Sequence, residues 1–300
     1  MAENANVELE VKLTLERDAL ARARAVLEDQ AGGTAGELVT LRNIYFDTPD
    51  FALNRQRMAL RVRQKGSRFI QTLKTQGEFI DGGHRRMEWE WPLATAELDL
   101  SLLAATPLSG QADLNQLQPA FETNFERQVL MITEFGSGGD ALAGGESLVE
   151  VAIDQGRILG GSRASPLCEI EFELKSGNPA VLRKLAVELA AAVPVFLNAI
   201  SKAEQGYYLA GVTSAAPDIA GISSVYGFFR CLSACWLHEE PFPLGNADLS
   251  RVRQAAEAAG VSADFEKLVP QLSSDQPVNA LIADGLLGRV QLAIAGVEGF

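Results

Sequence analysis

Charged and apolar residues alternate strictly between positions 7 and 12, near the start of the chain. Successive side chains of a β-strand point to opposite faces of the sheet. The alternation therefore predicts a strand with Glu8, Glu10 and Lys12 on one face and apolar residues on the other. A single pattern of this kind is also typical of ordinary surface strands, so its significance depends on whether it recurs.

The same spacing of two recurs in several later segments. Acidic residues occupy one face of the predicted strands at 150–154 and 169–173, whereas Leu60–Arg63, Thr72–Lys74 and Arg86–Glu90 carry basic or mixed charges. A sheet that closes into a barrel would enclose this charged face in its lumen and turn its apolar face outward against helices. A flat sheet would instead expose the charged face to solvent, and the alternation fits either arrangement. Eight or so strands with few helices predict an α+β fold.

Turn signals and apolar spacing predict the order of the elements. Strands are expected at 7–13, 41–47, 58–65, 68–76, 85–93, 125–134, 147–154 and 167–175, and helices at 17–29, 97–104 and 178–192. The glycine-rich segment 136–145 is expected to form a hairpin turn, because no Lys-Ser or Lys-Thr follows it as in a phosphate-binding loop. Trp89 and Trp91 fall on the parity that faces outward, where packing under a helix is favoured over base stacking.

A Thr-Ser-Ala-Ala-Pro stretch at 213–217 separates the strands from a second region with helical apolar spacing. We therefore predict a tunnel domain over 1–212 and a small C-terminal all-α domain over 222–300. Helices are expected there at 223–240, 246–259 and 277–297. These helices could dock a protein partner, support self-association or act as a stabilising cap.

The composition narrows the classes of partner. The chain has 300 residues, of which 47% are hydrophobic, and a formal net charge of −13. An acidic surface disfavours nonspecific binding to nucleic acid or to anionic membranes, because both depend on exposed Lys and Arg. No apolar run approaches the length of a bilayer span and no basic, apolar leader is evident, so a cytoplasmic protein is expected.

Cysteine and histidine usage excludes two further kinds of site. Cys168, Cys231 and Cys235 form an odd set without C-x-x-C spacing, which disfavours a disulfide framework and favours core packing for the last two. With only His84 and His238 in the chain, a histidine-rich metal cluster is excluded. Carboxylates must therefore hold any metal ion.

An ordered series of motifs carries a family resemblance. It begins with Glu-x-Glu-x-Lys at residues 8–12 and continues through Asn43–Pro49, Leu60–Arg63, Thr72–Lys74, Cys168–Glu171 and Ser201–Lys202. This series resembles the CYTH family, also called triphosphate tunnel metalloenzymes, in the family's own order. The resemblance implies an antiparallel eight-stranded β-tunnel that binds a triphosphate in its lumen.

Three further stretches, Ala152–Gly156, Ser201–Tyr207 and Trp236–Glu240, refine the resemblance. They are most similar to bacterial inorganic triphosphatases that join a CYTH domain to a helical CHAD domain. The region after residue 222 is shorter than a full CHAD domain and has only His238. It therefore resembles a short or truncated CHAD-like segment.

The resemblance implies a set of cations that hold the triphosphate. Arginine matches phosphate oxygens with a planar fork, and lysine supplies a compact charge. The expected substrate-binding residues are Lys12, Arg61, Arg63, Lys74, Arg86, Arg127 and Lys202. Of the lumen residues, Lys12, Glu10 and Lys202 are expected to be catalytic.

Carboxylates on the same parity are the expected metal ligands, because Mg²⁺ and Mn²⁺ prefer a few carboxylate oxygens and share the remainder with phosphate and water. The expected ligands are Glu8, Glu10, Glu169 and Glu171. We hypothesise two metal ions, one bridging phosphate oxygens and one activating the attacking water. Four further acids could bind metal, position water or pair with the cations: Glu88, Glu150, Asp154 and Glu173.

Three functions stay open at this point. The first is metal-dependent hydrolysis of inorganic triphosphate to diphosphate and phosphate. The second keeps the fold but changes the reaction to hydrolysis of thiamine triphosphate or a nucleoside triphosphate, or to adenylate cyclisation. The third is a module that binds triphosphate or polyphosphate without turning it over. The abundant carboxylates disfavour the third, because they would hinder simple anion binding.

Overall fold

A computed structural model describes residues 5–33, 36–80, 82–110, 112–135, 145–212 and 220–297. The strands are β1 (Ala5–Thr14), β2 (Leu38–Asp47), β3 (Ala59–Lys65), β4 (Arg68–Lys74), β5 (Glu78–Ile80), β6 (Gly83–Leu93), β7 (Gln118–Phe135), β8 (Glu146–Gly160), β9 (Arg163–Ser176) and β10 (Phe196–Leu197). The α-helices are α1 (Leu20–Gln30), α2 (Ala52–Arg55), α3 (Ala180–Ala192), α4 (Lys202–Leu209), α5 (Val225–His238), α6 (Ser250–Ala258), α7 (Ser262–Leu272) and α8 (Leu286–Ile294).

Eight strands of the described chain close into an antiparallel barrel. Their order around the barrel is β1, β9, β8, β7, β2, β3, β4 and β6, and pairing of β6 with β1 closes the ring. The short strands β5 and β10 add to this sheet beside β6 and β1. Closure leaves the barrel strands paired on both sides, which removes the exposed edges that invite aggregation. The expected α+β fold with an eight-stranded β-tunnel is confirmed.

The apolar parity of the strands forms a core outside the barrel. Val11, Leu13 and Phe172 are nearly or fully buried there, packed with residues of α1 and α3. A second outer cluster contains Trp89 and Trp91 and lies under a 3₁₀ segment over 100–105. Both tryptophans therefore face away from the lumen, as the alternation predicted.

The C-terminal helices share the main core with the barrel. Their buried residues, among them Phe228 of α5 and Leu287 of α8, belong to the same cluster as the outward residues of β1, β8 and β9. Buried hydrogen bonds reinforce the contact, because the Gln291 side chain accepts from the Leu197 N–H and donates to the Leu197 carbonyl, both at 3.0 Å. The two regions thus stabilise each other. The predicted boundary between 212 and 222 stays a prediction, since 213–219 lie outside the described residues.

Helices were the least accurate part of the sequence-based assignment. The segment near 97–104 forms a 3₁₀ turn, and three helices were missed: α2, α4 and α7. The start of α4 carries a capping box between Ser201 and Glu204, a recognisable signal. In α7, Pro270 lies in the last turn, and proline inside a segment ordinarily indicates that a helix ends there. The glycine-rich residues 136–144, expected to form a turn, lie outside the described residues.

The cysteines lie where the sequence suggested. Cys231 and Cys235 are buried in the core, and Cys168 packs against that core on the side of β9 opposite the lumen. All three are free thiols. Among the helices in the described part of the chain, none combines the length and apolarity needed to cross a bilayer.

Candidate active site

The lumen of the barrel contains a cavity of about 650 Å³. Alternating side chains of the strands point into it, as the spacing of two requires. All seven cations predicted from the sequence line its wall: Lys12, Arg61, Arg63, Lys74, Arg86, Arg127 and Lys202. The barrel therefore brings together positively charged residues that are up to 190 positions apart in a chain with a net negative charge.

The predicted acids separate into two depths. The acids that reach the cavity wall are Glu8, Glu10, Glu88, Glu150, Glu171 and Glu173. Glu169 and Asp154 lie beneath the wall, with side chains 1% and 0% exposed. Their oxygens bind the lumen cations, and Asp154 accepts from Arg127 Nε at 2.7 Å and Nη2 at 2.6 Å. These two acids therefore hold the lining cations in place and do not line the cavity themselves.

Lys202 is the centre of a buried charge cluster at the start of α4. Its Nζ lies 2.7 Å from Glu171 Oε1, 2.8 Å from Glu169 Oε2 and 2.9 Å from Asp154 Oδ2. Burial alone would lower the pKa of Lys202, but these three carboxylates raise it well above its ordinary value. Lys202 is thus a fixed positive charge at any physiological pH.

Lys12 lies beside this cluster in a less compensated setting. Its Nζ donates to the carbonyl oxygen of Ile200 and is 3.9 Å from Glu169 Oε1. Burial lowers the pKa of Lys12, and the positive charge of Lys202 adds to that effect although Glu169 opposes it. An additional anion in the lumen would stabilise the charged form of Lys12.

Glu8 and Glu10 on β1 contact the cations of β4 and β6. Lys74 Nζ lies 2.8 Å from Glu8 Oε1, and Arg86 donates to Glu8 from Nε at 2.9 Å and to Glu10 from Nη2 at 2.6 Å. Burial would raise the pKa of Glu8, but Lys74 and Arg86 hold it well below its usual range. For Glu10, burial and the negative charge of Glu8 outweigh Arg86 and raise the pKa to about 7. Negative charge around Glu10 is therefore only partly neutralised by the protein.

Three acids form a row across neighbouring strands near Glu10. Glu10 is directly opposite Glu173 on β9, and Glu173 is directly opposite Glu150 on β8. Like charges at directly opposed positions repel. Lys175 Nζ lies 2.6 Å from Glu173 and 3.5 Å from Glu150, which offsets part of this repulsion. A divalent cation would relieve this repulsion, so the donor set suits Mg²⁺ or Mn²⁺.

The acids do not form a finished metal cage. Within the described residues, no group of three or more His, Cys, Asp or Glu side chains is arranged to hold a metal ion. Mg²⁺ is commonly bound through one or two carboxylates, with water and substrate phosphate completing its octahedral shell. The row of acids in the lumen therefore fits a metal ion that enters together with an anionic ligand.

Arginines of β3 form a wall of the opposite character. Arg63 Nε donates to Asn43 Oδ1 at 2.8 Å, and among the described residues no carboxylate oxygen lies within 4.0 Å of its guanidinium. Arg61 reaches Glu88 only at 3.9 Å, and its Nε is buried without a hydrogen bond in the described structure. Burial and the charges of Arg61 and Arg127 lower the pKa of Arg63 to about 9, which still leaves it charged at neutral pH.

The arginine wall faces the acids across the lumen. In the ring of eight strands, β3 is four strands away from β9 in either direction. Glu171 and Glu173 of β9 therefore line the opposite side of the ring from Arg61 and Arg63 of β3. A metal ion could bind to the acids on one side of the lumen, while anionic oxygens of a ligand could bind to the arginines on the other.

Several wall residues were missed by the sequence analysis. Tyr45, His84 and Glu204 line the cavity, and Arg230 of α5 reaches it from the C-terminal region. His84 shares the parity of Arg86 and Glu88 on β6, so the same alternation could have found it. Nothing local to Arg230 indicates its position, which depends on how α5 packs against the barrel.

A closed barrel whose lumen carries both acidic side chains and arginines defines a charged β-tunnel, a class of site that suits an anion accompanied by a divalent metal ion. Comparison with known families agrees with this class. The CYTH domain model matches residues 6–207, more than half of the chain. The protein therefore belongs to the CYTH domain family, as its motifs indicated.

Individual relatives cover different shares of the chain. An inorganic triphosphatase from Haemophilus influenzae is 38% identical over 171 residues, which are 56% of this chain and 46% of the relative. The matched region thus spans about half the length of that relative. Two solved structures are also similar. The first is HpAC1 from Hippeastrum, an adenylyl cyclase candidate with a dominant triphosphatase activity; it is 17% identical, the match covers 67% of this chain and 95% of that one, and the TM-score is 0.46. The second is an adenylate cyclase candidate from Bacillus halodurans; it is 22% identical, the match covers 63% of this chain and 90% of that one, and the TM-score is 0.42.

Proposed function

We propose that this protein hydrolyses inorganic triphosphate to diphosphate and phosphate in the lumen of its barrel, with Mg²⁺ or Mn²⁺ as cofactor. The observation that carries the proposal is the incomplete charge pairing of the two lumen walls. Arg63 has no carboxylate partner within 4.0 Å in the described chain, and Glu10 has a pKa raised to about 7. A triphosphate with its metal ion would supply the missing charge to both walls. The similarity to the H. influenzae inorganic triphosphatase supports the choice of substrate.

The cations would bind and orient the phosphate chain. Arg61 and Arg63 present planar donor forks on one wall, while Lys12 and Lys202 supply point charges near the start of α4. Such preorganised cations stabilise the charge that develops on phosphate oxygens during transfer. Because the side chains are held by buried partners, little reorganisation is needed when the reaction occurs.

The acids of β1, β8 and β9 would hold the metal ions. We assign this role to Glu8, Glu10 and Glu171, with Glu150 and Glu173, whose side chains are each 27% exposed, extending the row. A bound metal ion supplies Lewis-acid charge at the phosphate oxygens and favours ionisation of the attacking water. For Glu169 and Asp154, their burial and their contacts with Lys202 favour a role in orienting the cations over direct metal binding.

The test is phosphate release from tripolyphosphate, thiamine triphosphate and ATP, each with Mg²⁺, Mn²⁺ or EDTA. Arg63→Ala should lower kcat/KM for tripolyphosphate by at least about 100-fold, because it removes a lumen donor to the reacting anion. Arg42→Ala is the matched control. Arg42 belongs to β2 but points outward, with its side chain 52% exposed and bound to Glu122 at 2.6 Å.

The outcomes distinguish the alternatives. Rapid metal-dependent release from tripolyphosphate, unaffected by Arg42→Ala, supports the inorganic triphosphatase. Faster turnover of thiamine triphosphate or ATP, or formation of cyclic AMP from ATP, assigns the lumen to the related reactions. Tight, metal-independent binding of tripolyphosphate without turnover of any substrate would contradict the hydrolase and favour the binding module.

A further inference from the structure

The segment 199–204 connects the short strand β10 to α4 and carries two features of the lumen. The carbonyl oxygen of Ile200 accepts a hydrogen bond from Lys12 Nζ, and Lys202 extends from the first turn of α4 into the buried carboxylates. The position of this segment therefore sets the position of both lysine ammonium groups. A shift of the segment would move both groups relative to the substrate.

Helix α5, from the C-terminal region, holds this segment from outside the barrel. The Ser233 hydroxyl accepts from the Ala199 N–H at 2.9 Å. Arg230 then forms two bonds with one guanidinium: Nη1 donates to the Ala199 carbonyl at 2.7 Å, and Nη2 donates to Glu204 Oε1 at 2.8 Å. Arg230 therefore connects the start of the segment to its end.

The far end of this bridge is part of the helix cap. Glu204 Oε2 accepts from the Ser201 N–H at 2.9 Å, while the Ser201 hydroxyl accepts from the Glu204 N–H at 3.2 Å. Burial would raise the pKa of Glu204, but Arg230 and the Ser201 N–H hold it below its ordinary value. Glu204 thus stays ionised, which keeps its bond to Arg230 charge-assisted.

We propose that Arg230 is a positioning residue for Lys12 and Lys202, so that the C-terminal region takes part in substrate binding in the tunnel. The inference rests on the function proposed above, because it needs the two lysines to contact the anion. A guanidinium can satisfy two acceptors at a fixed spacing, whereas an ammonium group of similar reach satisfies one of them well. Groups that orient a binding residue commonly influence activity about 10- to 100-fold although they do not touch the substrate.

Shortening Arg230 should leave α5 in place. The neighbouring Phe228, Phe229 and Leu232 are fully buried in the core shared with the barrel, whereas the Arg230 side chain is 36% exposed. The loss would therefore be confined to the two hydrogen bonds at the segment. This allows a positioning effect to be separated from unfolding.

The experiment compares Arg230→Ala and Arg230→Lys with a matched control in the full-length protein. Arg253→Ala removes another arginine of the C-terminal region, which is not part of the lumen lining and whose Nε donates to Glu266 Oε1 at 2.9 Å. We expect Arg230→Ala to lower kcat/KM for tripolyphosphate by about 10- to 100-fold, and Arg230→Lys to recover part of the loss. Arg253→Ala should behave like the wild type, and all variants should keep a wild-type circular dichroism spectrum.

A binding measurement separates this inference from the proposed reaction. Calorimetric titration with tripolyphosphate in EDTA reports the cation wall alone, and Arg230→Ala should weaken binding whereas Arg253→Ala should not. Because Arg230 also lines the cavity, the double variant Arg230→Ala/Lys12→Ala separates positioning from direct contact: overlapping losses support the positioning role, and fully additive losses would overturn it. A lower Tm for Arg230→Ala with unchanged kcat/KM and unchanged affinity would overturn the positioning role and leave the function intact. If the wild type binds tripolyphosphate without hydrolysing it, the proposed reaction fails and the affinities of the variants still decide the role of Arg230. If the wild type does not bind it at all, both proposals are overturned.

Discussion

Removing the ammonium group of Lys202 is the most direct perturbation of the buried charge cluster. Lys202→Met keeps the length and much of the apolar volume of the side chain but deletes three contacts, with Glu171, Glu169 and Asp154, of 2.7 to 2.9 Å. Lys202 is only 8% exposed, so water cannot readily replace it. The variant therefore leaves buried carboxylates with less positive charge around them.

The size of the stability loss in Lys202→Met depends on the hydrogen-bond donors that the three carboxylates keep. Breaking a buried ion pair by deleting one partner costs about 3–5 kcal/mol of unfolding free energy. Arg127 still contacts Asp154 at 2.6 Å and Glu171 at 2.7 Å, and Gln205 still donates to Glu169 at 3.1 Å. Since each acid keeps one donor, we expect a loss near the lower end, about 3 kcal/mol at pH 7.

The stability difference between the wild type and Lys202→Met should become smaller as the pH falls. Burial would raise the pKa of Glu171, but Lys202 and Arg127 hold it well below its usual value. The stabilisation it contributes is therefore present above its ordinary pKa of 4.5 and is lost as the pH falls through its low folded-state value. Without Lys202 the acid protonates more readily, so the difference between wild type and variant should shrink below about pH 5.

Urea unfolding of the metal-free protein at pH 7 and pH 4.5 measures both effects. Lys267→Met is the matched control, since Lys267 is 68% exposed and pairs with Asp264 on the surface; it should leave the unfolding free energy unchanged. A Lys202→Met protein as stable as the wild type at pH 7 would refute the reasoning. It would mean that water in the lumen solvates the three acids well enough to make the lysine dispensable.

Two further predictions concern other positions in the barrel. Glu10→Gln should stabilise the metal-free protein by about 3 kcal/mol at pH 8, because a folded-state pKa of about 7 against an ordinary 4.5 costs stability as the pH rises through this range. Most of the gain should vanish at pH 5 in urea unfolding, and equal stability of the two proteins at pH 8 would contradict the raised pKa. Gly206→Ala should lower stability by about 1–3 kcal/mol, because the added methyl group would overlap the Phe121 ring. Thermal unfolding measures this loss, and Gly245→Ala, where the added carbon meets nothing within 4 Å, serves as the control.

The alternation along the strands determined most of the lumen. Residues two apart on a strand share a face whatever the rest of the chain does, so Arg61 and Arg63, or Glu169 and Glu171, could be assigned to one side from the sequence alone. The same rule placed Trp89 and Trp91 on the outer side. The alternation by itself fitted both a flat charged sheet and a closed barrel. The order of the motifs indicated the family, and the family implied the barrel.

Only the tertiary structure decided how deeply each charged side chain is buried and which residue it pairs with. Glu169 and Glu171 share a face, yet the first is buried beneath the cations and the second reaches the cavity. Strand period fixes direction but not depth, because depth depends on the stagger of neighbouring strands in the closed ring. The contact of Arg230 with Ala199 and Glu204 likewise has no local signal, since it arises where a helix packs against the barrel across about 30 residues of chain. The sequence therefore determined which charges face the lumen, and packing decided which are neutralised by the protein and which stay available to a ligand.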